Sequence, residues 1–154
     1  MSGWRIVEGG LDDPRVIALV EHHASSARAA TPGGNGHSFF IDRLRAPDIR
    51  FFAAWMGEEV VGIGALKLLS PSEGEVKSMH TAAAARGQGI GAAILGTIVE
   101  VASSKGMSRL SLETHPGDHF AAAVALYRRQ GFTDCLPFAD YTVDPASLYL
   151  TREL

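Results

Sequence analysis

Apolar and polar positions alternate along this chain with two different periods, and the change of period marks out the elements. Trp4 to Val7 reads as a short first strand. Asp12-Asp13-Pro14 supplies an N-cap and a first-turn proline for a helix carrying Val16, Leu19, Val20 and His23. Thr31-Pro32-Gly33-Gly34-Asn35-Gly36 holds no regular element and predicts a loop. A helical piece with Phe39, Phe40 and Leu44 ends before Pro47. Arg50 to Met56 and Val60 to Leu69 flank Gly57-Glu58-Glu59 as a β-hairpin, and a strand from Gly74 to Thr81 follows the Ser70-Pro71-Ser72 turn.

After Arg86 the apolar spacing lengthens. Ile90, Ile94, Ile98 and Val101 fall on one helical face, and Gly106 after Lys105 is a stop signal. Leu110 and Leu112 alternate with Ser111 and Glu113 as a strand. Asp118 is placed to cap a helix through Val124 and Tyr127, closed by Gly131 with Phe132 packing back. Leu148 to Thr151 predicts a last strand. Without repeat or linker, residues 1–154 read as one α/β domain with a mixed sheet.

Composition narrows the function. The chain has 154 residues, 46% hydrophobic and 20% charged, as one domain with its own core requires. A net charge of −3 gives no basic surface for nucleic acid. The apolar stretch from Val60 to Leu69 is broken by two glycines and a lysine and is too short to span a membrane. The start, Met1-Ser2-Gly3-Trp4-Arg5, lacks a signal-peptide core, and Cys135 has no intrachain partner, so a reducing cytoplasmic setting is expected.

Candidate chemistry concentrates in Arg86-Gly87-Gln88-Gly89-Ile90-Gly91-Ala92, between a strand and a helix. Glycines there let a ligand approach the backbone, while the first helical N–H groups and the helix dipole attract a pyrophosphate. Arg86 adds a fixed positive charge. Read without a ligand, the segment is a tight strand-to-helix turn, for which three glycines are more than is needed. Gly87, Gly89 and Ala92, with Glu113 downstream, also satisfy part of a dinucleotide fingerprint. That reading requires repeated βαβ units, which the preceding hairpin and the short remainder do not supply.

The segment resembles the acetyl-CoA loop of the GCN5-related N-acetyltransferases (GNAT), whose pattern Arg86, Gly89 and Gly91 fit. Ala123 through Leu126-Tyr127 to Gly131-Phe132 is similar to that family's second signature, and the order of elements matches along nearly the whole chain. Gly74 to Met79, Ser111 to Thr114, and Pro137 to Tyr141 running on to Asp144-Pro145 resemble a branch of small bacterial acetyltransferases. The resemblance implies a mixed, mostly antiparallel sheet flanked by helices, and direct transfer from acetyl-CoA to a small-molecule amine in a ternary complex. It implies that Met79, His80 and Thr81 line the thioester, that Arg86 to Ala92 bind the cofactor, and that Tyr127 is the general acid. A homodimer is compatible with it. Many members carry a cofactor-contacting asparagine where this chain has Phe120; Asp118 or His119 are the candidates to replace it.

For the base, Glu75 is one candidate, although Glu75 and Lys77 share a strand face and read equally as a structural ion pair. Lys77 could instead hold an acidic group on the acceptor. His80 alternates away from both. His22 and His23, read as ending the first helix, are placed either in the acceptor cleft or on a solvated face. Pro116-Gly117 spoil a helical ligand spacing for His115 and His119, so no metal site is expected. A non-catalytic acyl-CoA-binding module, with Tyr127 idle, is the second reading of the same motifs.

Overall fold

The computed structural model describes residues 3–30 and 40–154. Strand β1 (Trp4–Glu8) is followed by α1 (Pro14–Ala30), α2 (Phe40–Leu44), β2 (Ile49–Met56), β3 (Glu59–Leu68) and β4 (Glu73–Thr81). Then come α3 (Ile90–Ser104), β5 (Arg109–Thr114), α4 (Ala121–Arg129), β6 (Thr133–Asp134) and β7 (Leu148–Glu153). They form a single seven-stranded sheet in the order β1-β2-β3-β4-β5-β7-β6. All neighbours are antiparallel except β4 and β5, which α3 joins as a parallel crossover. The expected mixed, mostly antiparallel α/β sheet is what the chain forms.

Local chemistry explains the helix ends. The Asp13 carboxylate accepts the Arg15 amide at 2.9 Å, so Asp13 caps α1 and Pro14 opens it. α3 ends with Gly106 at φ 83°, where Gly106 N–H donates to Ser103 O and Met107 N–H to Ala102 O. That is a Schellman closure, and α4 repeats it: Gly131 (φ 92°) donates to Arg128 O, and Phe132 N–H donates to Tyr127 O at 3.0 Å. The start of α4 differs from the expectation. Asp118 makes no cap; a 3-10 turn over Asp118–Phe120 precedes the helix, and Phe120 occupies the cap position without a side-chain bond. β6, an edge strand of two residues, is too short to show a period.

Two apolar layers sandwich the sheet. Val16 and Val20 of α1 pack with Ile41, Leu44, Phe51, Ile63 and Ala65 on one face. Ile90, Ile94, Leu95 and Ile98 of α3 pack with Leu66, Val76, Leu110, Tyr127 and Phe132 on the other. α3 comes unusually close to β3. A Cβ on Gly62 would lie 2.8 Å from Ile90 and Ile94, and one on Gly64 would lie 2.6 Å from Ile94.

Candidate active site

The site begins where two strands stop pairing. β4 and β5 share only three rungs, Glu73 with Arg109, Gly74 with Leu110 and Glu75 with Ser111. Beyond Glu75, β4 stays with β3 as far as Thr81, while β5 stays with β7 as far as Thr114. The sheet therefore opens at the carboxyl ends of its two parallel strands, where open α/β sheets place ligands. A cleft of about 380 Å³ lies there, with Met79, His80 and Thr81 on its β4 side and Tyr127 on its α4 side.

A bulge in β4 decides what faces where. Lys77 pairs with Ala65 and His80 with Ile63, so Ser78 and Met79 together oppose one residue of β3. Ser78 takes φ 58° to accommodate the extra residue. Directly opposed residues share a sheet face, so the insertion reverses the alternation beyond it. Glu75, Lys77 and His80 consequently share the α1 face, and Met79 packs with the α3 layer. The strict period-2 reading that turned His80 away from Glu75 and Lys77 is corrected by this one inserted residue.

The start of α3 is left uncapped. Gly89, at φ 85°, is the N-cap of α3, and no side chain caps the helix. The first amides of a 15-residue helix are thus left for a ligand. Gly87 also has positive φ, 81°, and a Cβ on Gly91 would press to 3.1 Å from Leu126. Arg86, Gly87, Gly89, Ile90, Gly91 and Ala92 all line the cleft. The Arg86 guanidinium is held by a hydrogen bond from its Nε to Thr81 O. Gln88 is exposed and does not line the cleft, in contrast to its expected place among the cofactor contacts.

Tyr127 is buried at 6% exposure but reaches the cleft wall. Its backbone carbonyl closes the α4 cap, and its ring meets Phe132 edge-on at 6.1 Å. The Gly-Phe pair thereby fixes the tyrosine it follows. Burial pushes the phenol well above its ordinary range, so it stays protonated at any working pH. Its hydroxyl has no hydrogen-bond partner among the described residues.

These features agree with the comparisons. The family model for the Acetyltransferase (GNAT) family matches residues 17–132. The uncharacterized N-acetyltransferase YedL of Escherichia coli (strain K12) is 43% identical over 144 residues, covering 94% of this chain and 91% of the relative. The chain belongs to the GNAT acetyltransferase family. A second relative, an IAA acetyltransferase from Azospirillum brasilense, is 39% identical over 140 residues and covers 90% of both chains. The GNAT acetyltransferase of Elizabethkingia anophelis, solved with acetyl-CoA bound, superposes with a TM-score of 0.74 at 18% identity over 100% of both chains, a likeness of fold.

The remaining candidates of this GNAT chain divide between the cleft and its surroundings. Glu75 is 3% exposed and does not line the cleft; its Oε2 accepts the Tyr141 hydroxyl at 2.6 Å and the Lys77 ammonium at 3.4 Å. Burial first, and then the Glu75 carboxylate, push the Tyr141 phenol above its usual range. Phe138 meets Tyr141 and Tyr149 edge-on beside this group, and Tyr141 lies tilted against Tyr149. α1 runs on to Ala30, so His22 and His23 lie within the helix and do not end it. His23 lines the cleft, with its Nδ1 3.1 Å from Nδ1 of His80. Thr31 to Gly36, read from the sequence as a loop, lies outside the described residues. Phe120, stacked between His115 and His119, lines the cleft with His119, Ala122, Ala123, Leu126 and Arg129. Of these, Phe120, His119, Ala123 and Leu126 carried a sequence signal, through the family pattern. No group of three or more ligating side chains able to hold a metal occurs among the described residues.

Proposed function

We propose that the protein transfers the acetyl group of acetyl-CoA to the amine of a small molecule, directly and within a ternary complex. One observation carries the reading: a single cleft joins the uncapped start of α3, the unpaired end of β4 and the protonated hydroxyl of Tyr127. The α3 amides and Arg86 would hold the pyrophosphate. An amide of Met79, His80 or Thr81 would polarise the thioester carbonyl, and Tyr127 would protonate the departing thiolate. The burial that raises the phenol would raise the thiolate's proton affinity too, so donor and acceptor stay matched in the dry cleft.

Direct transfer is supported by Cys135. It does not line the cleft, and burial raises its thiol, so it lacks the character of a nucleophile for a covalent intermediate. In this reading Glu75 anchors Tyr141 and Lys77 at the closed end of the wedge between β4 and β5, beside their last shared rung. No helix among the described residues is long and apolar enough to cross a membrane.

The test has two parts. Calorimetry should detect acetyl-CoA binding, and a panel of small amines, amino acids and aminoglycosides should yield CoA release with at least one acceptor. A rise in melting temperature with NAD but not CoA would overturn the cofactor, and binding without release from any acceptor would overturn the transfer.

A further inference from the structure

Two histidines from different elements meet at the cleft wall, outside the cofactor loop. His23 of α1 and His80 of β4 face each other through their Nδ1 atoms at 3.1 Å, and the edge of His22 lies against the His80 ring at 5.6 Å between centroids. Of two facing ring nitrogens, one must carry hydrogen and the other a lone pair. The other nitrogen of His80, Nε2, is buried and has no partner among the described residues, although its ring lines the cleft. Such an orphan in a site that binds ligands calls for a ligand group to satisfy it.

We propose that His80 Nε2 accepts the proton of the acceptor amine during transfer, with His23 as the positioning residue that fixes the His80 ring. The proposal rests on the transfer reading above. It requires His80 to carry hydrogen on Nδ1, donated to His23 Nδ1, and a lone pair on Nε2. The neutral amine attacks the thioester carbonyl carbon; the N–C bond forms and the C–S bond breaks. The surplus proton on nitrogen passes to His80 Nε2, while the sulfur takes a proton from Tyr127. Solvent then carries one proton from the imidazolium back to the tyrosinate, leaving amide and free CoA thiol.

The surroundings suit a neutral imidazole. Burial first, then His23, Arg86, His22 and His119, lower His80 to about 4. These groups face it from α1, the loop and the 3-10 turn, while Lys77 and Glu75 share its face of β4. So weak a base does not strip a proton from an ammonium in solution. It takes the proton as N–C bond formation makes that nitrogen acidic. The cleft thus admits the amine in its neutral form.

Long-range 1H–15N NMR of the uniformly labelled protein tests the tautomer without any acceptor. The expected result is a protonated Nδ1 and an unprotonated Nε2 on His80 down to about pH 5; a protonated Nε2 overturns the proposal. With an amine found by the CoA-release panel, His80→Gln should lower kcat/KM for that amine by at least ~10²-fold, with acetyl-CoA affinity within twofold of wild type. An unchanged kcat/KM would also overturn it. A panel with no turnover would sink the transfer reading instead, and the NMR result would still decide whether His80 holds the tautomer assigned to it.

Discussion

The two faces of the central sheet treat polar atoms in opposite ways. Under α3 and α4 the contacts are apolar, and the cleft is bounded by an uncapped helix start. Gly62 and Gly64 let α3 sit close, Gly87, Gly89 and Gly91 clear its start, and the buried hydroxyl of Tyr127 has no partner among the described residues. Under α1 the face carries side-chain chemistry in contact with itself, with Glu75 bound by Tyr141 and Lys77, and His80 against His23. The difference teaches where variation is tolerated. A close-packed glycine surface constrains residue size at each position, whereas a side-chain network can be rebuilt without disturbing the helix start on the other face.

The largest expected effect falls on the α3 face. Gly91→Asp, which places a carboxylate at the start of α3 and a Cβ 3.1 Å from Leu126, should remove acetyl-CoA binding in calorimetry, as should Gly89→Asp. Unchanged affinity in a folded variant would end the phosphate assignment. Tyr127→Phe should follow, with kcat lower by ~10²–10⁴-fold and cofactor affinity roughly intact. Equal kcat, with chemistry shown to be rate-limiting, would leave the tyrosine a packing role.

Smaller effects probe the fit and the network. Gly64→Ala forces Ile94 and Met79 apart and should cost about 1–3 kcal/mol in urea unfolding. A wild-type midpoint would mean that α3 relaxes away from β3 without cost. On the α1 face, burial lowers both His23 and His80 from 6.5 to about 4. Between those values the unfolded chain binds more protons, so stability should be full above about pH 6.5 and fall as pH drops toward 4. His80→Gln should flatten the melting-temperature profile across that window; a slope equal to wild type would assign the acid sensitivity to other groups. The smallest effect is expected from Glu75→Gln, which keeps an acceptor for Tyr141 but loses the charge facing Lys77. It should cost about 1 kcal/mol of stability and leave the acidic limb of the pH–rate profile in place. A flattened limb would make Glu75 the base.

Much of this molecule was legible because its information is local. The caps at Asp13, Gly106 and Gly131 act within a few residues of their helix ends, and the Ile90, Ile94, Ile98 stripe shows its period directly. The loop chemistry is a run of seven residues, and Tyr127 is fixed by its own helix and the two residues that close it. Where local reasoning failed, it extended a regular pattern too far. Asp118 satisfied a cap pattern, yet a 3-10 turn displaced the helix start by two residues, moving the cap to Phe120. Gln88 sits among cleft-lining residues but is exposed and does not itself line the cleft.

The sequence by itself determined the elements, the glycine-rich helix start, the tyrosine and the family they signal, since each is encoded within one stretch of chain. Tertiary structure alone decided the rest. The wedge exists because β4 and β5 keep different partners after three shared rungs, a choice made across the whole sheet. The facing of His80 depends on one extra residue in β4, which inverts every side chain beyond it and shows only against the register of β3. The meeting of His23 with His80 spans 57 positions and needs α1 docked on that inverted face. Periodicity carries parity along a strand, but pairing sets it between strands, and the His23–His80 wall of this cleft is built from pairing.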